Sequence, residues 1–425
     1  MRGHSGEGSP RQRKHGAARP SGAGPGTAGR CAAQARVDCS GSGEKNKNKL
    51  NKTKMRSCQL TVEEEQMHGE RSDIRNQFLQ LKEKVDTAKS LLDGFSEERK
   101  RRILQSYDVH SNLKHKLKNA ENVTNAWLKF FEIGTQFKFE YAFVFLNAEF
   151  PGAFVSCVNH LKQIQDKKRK KKDLAWCASS FVNGPLDDQF LLYKRFPQNW
   201  LMSEHMNGDI TKMENITKIE SILEHNVTLY TSDGSIDIKD DFVNQEMLNF
   251  KLLVGEMLCA LKTLKVGGSA VIKMFSCLEM HTVSAIHHFV VHFEKAHIVK
   301  PATSRAQNSE LYLVAQLFKG GDTQYEKALQ AALEDHAQLV ELNDETLDIF
   351  YSILEDFANT QCNTLHKIGN SLSKNTPLNQ TEKQRAEDIW LSMHFVPVIE
   401  RYLNSETPDS ETRNCADEVR ISKVK

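Results

Sequence analysis

The run Tyr-Ala-Phe-Val-Phe-Leu at positions 141–146 is apolar on both faces, which suits a strand buried in the middle of a parallel sheet. It stops at Ala148-Glu149-Phe150-Pro151-Gly152-Ala153-Phe154, and from Phe154 to Leu161 the apolar period becomes helical. Strand, glycine turn, helix is the opening unit of a doubly wound α/β domain, whose ligands bind beyond the carboxyl ends of the strands. Glycine lets the backbone approach a ligand closely, and Glu149 offers a carboxylate as acceptor at the same edge.

Further units follow. Leu174–Phe181 predicts a second strand, after six consecutive cationic residues at Lys167–Lys172 that read as a solvated loop. Asn226–Thr231 predicts a strand ending at Ser232-Asp233-Gly234-Ser235, which puts Asp233 on the edge that carries Glu149. Phe242–Leu264 has a long helical period closed by Gly267-Gly268, and Ser269–Phe275 is a strand with Lys273 among apolar neighbours. A lysine in a central strand is costly without partners or a task. His297–Lys300 and Leu311–Phe318 predict two closing strands, with Glu310 entering the last. Before the first strand, Asn122–Gly134 predicts an amphipathic helix that packs Trp127, Phe130 and Phe131 and lets Lys129 emerge on another side.

The flanks differ in composition. Residues 1–54 hold 10 of the 23 glycines and 12 basic residues against three acidic ones, with few large apolar side chains, and are expected to be a disordered basic arm. Residues 55–121 predict a helical lead-in, with Ile74, Phe78, Leu81, Val85 and Ala88 at helical spacing. Residues 321–425 predict a helical C-terminal extension, with periodicity at Tyr325–Phe357 and Glu387–Tyr402. The 122–320 core lies between them. A formal net charge of +2 over 425 residues excludes a polycation, so any nucleic-acid surface must be a local patch. The nine cysteines form no CxxC pair or Cys/His cluster and read as reduced thiols, with no metal site. No apolar run is long enough to span a bilayer, which predicts a soluble intracellular protein.

Lys129, Asp233, Lys273 and Glu310 each stand at or near the end of an apolar run. Two lysines and two carboxylates suit methyl transfer from a sulfonium to a ribose hydroxyl, which needs an aligned oxygen and loss of a proton near neutral pH. A neighbouring lysine and partial burial are expected to lower the pKa of Lys273 so that it serves as base, with Lys129 tuning it. Asp233 and Glu310 would hold the two lysines in register.

Residues from about 122 to 318 resemble the FtsJ-like 2'-O-methyltransferases. Asn-Ala-Trp-Leu-Lys at 125–129, Ala-Glu-Phe-Pro-Gly-Ala-Phe at 148–154, Thr-Ser-Asp-Gly-Ser at 231–235, Ala-Val-Ile-Lys-Met-Phe at 270–275 and Asn-Ser-Glu-Leu-Tyr at 308–312 stand in that family's order. The loop, followed by Val158-Asn159-His160, is most similar to the second-type cap-specific mRNA 2'-O-methyltransferases and to relatives in large DNA viruses. The resemblance implies a Rossmann-like methyltransferase sheet, the tetrad Lys129, Asp233, Lys273 and Glu310, and S-adenosylmethionine as cofactor. Glu149, Pro151, Gly152, Phe154 and Asp233 would contact that cofactor, and Asp209, in Asn-Gly-Asp-Ile-Thr at 207–211, would join them. Ala153 stands where the family's more general loop has a second glycine.

Capped RNA is the partner implied, alongside other capping or transcription components. The address implied is nucleus or cytoplasm, or the virus factory or virion for a viral protein. A ribosomal or transfer RNA substrate, or a silent RNA-binding relative, stays open, because fold and tetrad do not encode the substrate. Trp200, Tyr193 and Phe196 could stack on a cap, though core packing explains aromatics at least as well.

Overall fold

The computed structural model describes residues 33–38, 55–64, 73–166, 174–185, 187–202, 207–238, 241–321, 323–335, 339–394 and 396–397. The basic run Lys167–Lys172, most of 1–54 and the end of the chain lie outside the described residues.

In chain order the strands are β1 (Ala33–Asp38), β2 (Arg56–Glu64), β3 (Phe143–Asn147), β4 (Ala175–Ser179), β5 (Val227–Ser232), β6 (Leu264–Phe275), β7 (Phe293–Lys300) and β8 (Glu310–Phe318). They form one sheet in the order β1-β2-β7-β8-β6-β5-β3-β4. β4, β3, β5 and β6 run parallel, while β8 is antiparallel to both β6 and β7. β3 lies between β4 and β5, so the chain leaves it to one side and returns on the other. That reversal opens a crevice at the carboxyl ends of β3 and β5, where doubly wound folds take their ligands.

The central strands β3, β5, β6 and β8 split their side chains between two cores. Phe143 and Phe145 of β3 join one, with Tyr230, Ile272 and Leu313, whereas Val144 and Leu146 join the other, with Leu229, Val271 and Val314. Period-two alternation produces this division, and because both faces are covered the sequence reads as continuously apolar. Helices α1 (Ile74–Ser90), α2 (Glu97–Tyr107) and α3 (Leu113–Lys116) precede the parallel strands. Then come α4 (Asn125–Phe137), α5 (Ala153–Asp166), α6 (Leu192–Arg195), α7 (Met213–Leu223), α8 (Gln245–Thr263) and α9 (Met280–Val290). The C-terminal extension holds α10 (Gln324–Leu333), α11 (Asp344–Lys374) and α12 (Gln380–Met393). Among the described residues no helix is long and apolar enough to cross a membrane.

Two expectations change at the N-terminal side. β1 lies inside the segment expected to be disordered, paired antiparallel with β2. β2 opens the lead-in expected to be helical and joins the sheet by pairing with β7, Cys58 opposite Ile298. Arg-Ser-Cys-Gln-Leu alternates polar and apolar residues, a short period-two signal overshadowed by the helical pattern that begins at Ile74. The C-terminal periodicity is also regrouped. α10 ends at Leu333, and α11 runs 31 residues, well past Phe357.

Candidate active site

The four residues singled out in the sequence meet above the carboxyl ends of β5 and β6. Asp233 directly follows β5, and Lys273, near the end of β6, stands opposite Tyr312 of β8. Lys273 Nζ lies 3.2 Å from Asp233 Oδ1 and donates to the Asp233 main-chain oxygen at 2.6 Å. Tyr312 donates to the same Oδ1 at 2.9 Å. Glu310 opens β8 opposite Phe275 and takes Lys129 Nζ at 2.8 Å on Oε2 and the Ser304 hydroxyl at 2.8 Å on Oε1.

Lys129 arrives from α4, whose start is capped by Thr124 accepting from the Trp127 N–H at 3.1 Å. Trp127, Phe130 and Phe131 are buried beneath it. The Lys129 and Lys273 side chains are only 15% and 9% exposed, so both ion pairs are shielded from bulk water.

The electrostatics depart from expectation at Lys273. Burial lowers its pKa, but Asp233, Glu310 and Glu256 raise it more, and the net shift is upward. The carboxylates outweigh desolvation, so the ammonium form is the stable one. At Glu310 burial would raise the carboxyl, yet Lys129, Lys273 and Lys300 pull it down to about 2. Lys300 is itself brought down to about 7 by burial and donates to Asn308 O, Asn308 Oδ1 and Glu310 O at 2.7–2.8 Å.

Loop 148–154 follows β3 as expected. Gly152 takes φ +110°, where a Cβ would lie 2.3 Å from Leu192 Cδ1. Its N–H donates to Glu149 O at 2.7 Å. Glu149 is turned inward: Oε1 accepts from the Val155 N–H at 2.9 Å at the start of α5, and burial pushes the carboxyl well above the carboxylate range. A cavity of about 550 Å³ opens between this loop and the start of α4, and Glu149, Pro151, Phe154 and Asp233 line it.

Asp209 is not among the described residues that line this cavity; its Oδ1 accepts from the Thr211 N–H and hydroxyl in the turn before α7. Gly208 beside it is pressed against β4's exit, where a Cβ would sit 2.0 Å from Ser180 O. Phe196 and Trp200 pack on Trp176 in the core, and Trp200 and the half-buried Tyr193 back Phe150 of the loop, with ring centroids 4.5 and 6.0 Å away. Core packing thus accounts for Phe196 and Trp200.

Residues 122–318 match the FtsJ-like methyltransferase family. The similarity to that family thus covers 197 of the 425 residues. Its sequence is similar to a probable methyltransferase of African swine fever virus, 34% identical over 245 residues that make up 53% of this chain and 57% of the viral one. It is also similar to the cap-specific mRNA (nucleoside-2'-O-)-methyltransferase 2 of Drosophila melanogaster, 30% identical over 55% of this chain and 36% of that one. The enzyme of the same name from Pongo abelii is 30% identical over 58% of this chain and 34% of its own length. The match therefore spans between a third and somewhat over half of these relatives.

Two buried carboxyls beside Lys129, Asp233, Lys273 and Glu310 went unread in the sequence. Glu132, fully buried one turn beyond Lys129, accepts from the Ala302 N–H at 2.7 Å, the Thr303 N–H at 2.9 Å, the Thr303 hydroxyl at 2.6 Å and Trp390 Nε1 at 3.1 Å. Glu256 of α8 meets the Ser232 hydroxyl and the Gly234 N–H, bracketing Asp233, and burial brings its carboxyl up to about 8. An acidic residue inside an apolar helical pattern was the available signal: a buried carboxyl is retained only where donors surround it.

Proposed function

We propose that this chain transfers a methyl group from S-adenosylmethionine to the ribose 2'-hydroxyl of a cap-proximal nucleotide of capped mRNA. The observation that carries this is the convergence of Lys129, Asp233, Lys273 and Glu310 in two shielded ion pairs beside a cavity at the sheet's reversal. The family match and the cap-specific relatives support the substrate class.

The cavity suits the cofactor in size and donor set. About 550 Å³ falls within the range of small-molecule sites, and the Asp233 carboxylate on its wall complements a ligand bearing ammonium and sulfonium charge, with the protonated Glu149 beside it offering hydrogen bonds. Pro151 would let its length lie against the loop, with Phe154 closing the start of α5, while Gly152, which is not among the described residues lining the cavity, turns its free side to Leu192. When bound, S-adenosylmethionine supplies an electrophilic methyl group on a cationic sulfur.

The chain's own residues do the rest. Lys273 orients the 2'-oxygen and takes its proton. In the free protein Asp233, Glu310 and Glu256 hold Lys273 charged. Positive charge brought to the Asp233 side lowers Lys273 toward the neutral amine, so proton acceptance is coupled to a filled cofactor cavity. Lys129, paired with Glu310, positions the ribose, and Tyr312 fixes the Asp233 carboxylate. Exclusion of water strengthens each of these charges.

Methyl transfer from radiolabelled cofactor to matched capped and uncapped short RNAs, followed by nuclease mapping, tests the reading. Wild type should label the 2'-oxygen of a cap-proximal nucleotide on capped RNA, and Lys273→Ala should lose about 10³-fold with the melting temperature little changed. Equal labelling of uncapped RNA would overturn the cap assignment, and full activity in Lys273→Ala would overturn the base.

A further inference from the structure

A second, larger cavity of about 690 Å³ lies behind Glu310, walled by Tyr107–His110, the 301–309 segment and the flank of α11. Four cationic residues, Arg56, Lys300, Arg305 and Lys367, contribute to its lining, against the single carboxylate of Asp108. That excess is local in a chain whose formal net charge is +2. Arg305 and Asp108 pair at 3.0 Å, Arg56 pairs with Asp356 at 3.1 Å, and Lys300 is fastened to Asn308 and Glu310. Lys367 is exposed on α11. His110 is 4% exposed, and its Nε2 has no hydrogen-bond partner among the described residues; burial brings the imidazole down to about 4, so it is neutral at physiological pH.

The cavity lies next to Glu310. Ser304 and Ser309 line it, Ser304 donates to Glu310 Oε1, and Ser309 directly precedes Glu310. Its α11 wall lies outside the region that matches the family, residues 122–318, so this chain's C-terminal extension completes it.

We propose that this cavity holds a phosphate-bearing nucleotide of the RNA strand whose ribose lies at Lys273, flanking the methylated position. The inference rests on RNA being the substrate. The volume suits a nucleotide, cationic lining suits its phosphate, and the neutral, unpartnered His110 Nε2 offers a hydrogen bond to a base or sugar.

The test is anisotropy of a labelled capped RNA decamer bound to the full chain with S-adenosylhomocysteine present, repeated with a 5'-hydroxyl decamer. Lys367→Glu should weaken binding on the order of tenfold, while Lys319→Glu, exposed at the end of β8, should leave it unchanged. Asn363→Lys, which adds a cation to the exposed α11 lining, should tighten binding severalfold and steepen its salt dependence, a gain that misfolding cannot mimic.

A Lys367→Glu effect confined to capped RNA places the 5' end in the cavity, and an effect on both RNAs places the transcript body there; each supports the proposal. Wild-type affinity in both cavity variants overturns it. Binding is read without turnover, so an RNA that is bound through the cavity but never methylated sinks the proposed activity and leaves this inference standing. Methylation with unaltered binding in both variants does the reverse.

Discussion

Two segments close the site, and they are held in opposite ways. Loop 148–154 is held by itself and by its sheet neighbour: Gly152 donates to Glu149 O and Glu149 accepts from Val155, while the Glu149 and Phe150 N–H groups donate to Ser179 O and Ser180 Oγ at the end of β4, the latter 30 residues on. The 301–309 segment is held from afar. Glu132 grips Ala302 and Thr303 from 170 residues away, and Gln361 of α11 donates to Gln307 O and the Ser309 hydroxyl, both at 3.1 Å. The first needs only β4 beside it, whereas the second adds to its own turns at Ser304 and Asn308 clamps from as far as 171 residues away.

Releasing the remote clamp should have the largest effect. Glu132→Ala leaves two main-chain N–H groups and Trp390 Nε1 buried without an acceptor, a loss of about 3 kcal/mol or more in denaturant unfolding. Methyl transfer should fall roughly 100-fold as Glu310 loses its bearing. Calorimetric affinity for S-adenosylhomocysteine should stay near wild type, because the cofactor loop needs none of these bonds. Equal loss of cofactor affinity would erase the distinction between the two segments.

Next in size is Glu256→Gln on the cofactor side. Glu256 has a folded pKa of about 8 against an ordinary 4.5, so its stabilising proton is fully bound below 4.5 and its contribution is lost as pH rises through 8. Relative to wild type, the glutamine variant should gain about 2 to 3 kcal/mol between pH 5 and 7, read from urea midpoints. A flat difference would mean that the carboxyl is already ionised.

The smallest effect belongs to the Lys129–Glu310 pair that joins the two sides. Glu310 titrates at about 2 in the fold, so its contribution is present above 4.5 and disappears as pH falls toward 2. Lys129→Met should move that acid loss upward by about one pH unit, at a cost of about 1 kcal/mol near pH 4. An unchanged acid limb would show that Lys273 and Lys300 suffice to hold Glu310.

The same difference governs what was legible. β3, β5, β6 and the glycine loop announce themselves as contiguous apolar runs with turn chemistry attached, and all four tetrad residues sit beside such runs. Glu132, Glu256 and Gln361 act on partners far along the chain, and an acid inside an apolar helical stretch signals its burial but not where its donors come from. β2 was missed because half of a strand's evidence is its neighbour, here β7, more than 230 residues later. The lowered pKa expected for Lys273 failed for a related reason: the lysine-rich count was visible, but the placement of three carboxylates around it was not.

The bond from Trp390 to Glu132 has a practical corollary. A fragment trimmed to residues 122–318 would retain every tetrad side chain and the whole of loop 148–154, yet carry a buried acid short of its Trp390 donor and a trough open along one flank. Silence from such a fragment would report on missing scaffolding rather than on chemistry, so the smallest unit in which the tetrad can be judged extends at least through α12.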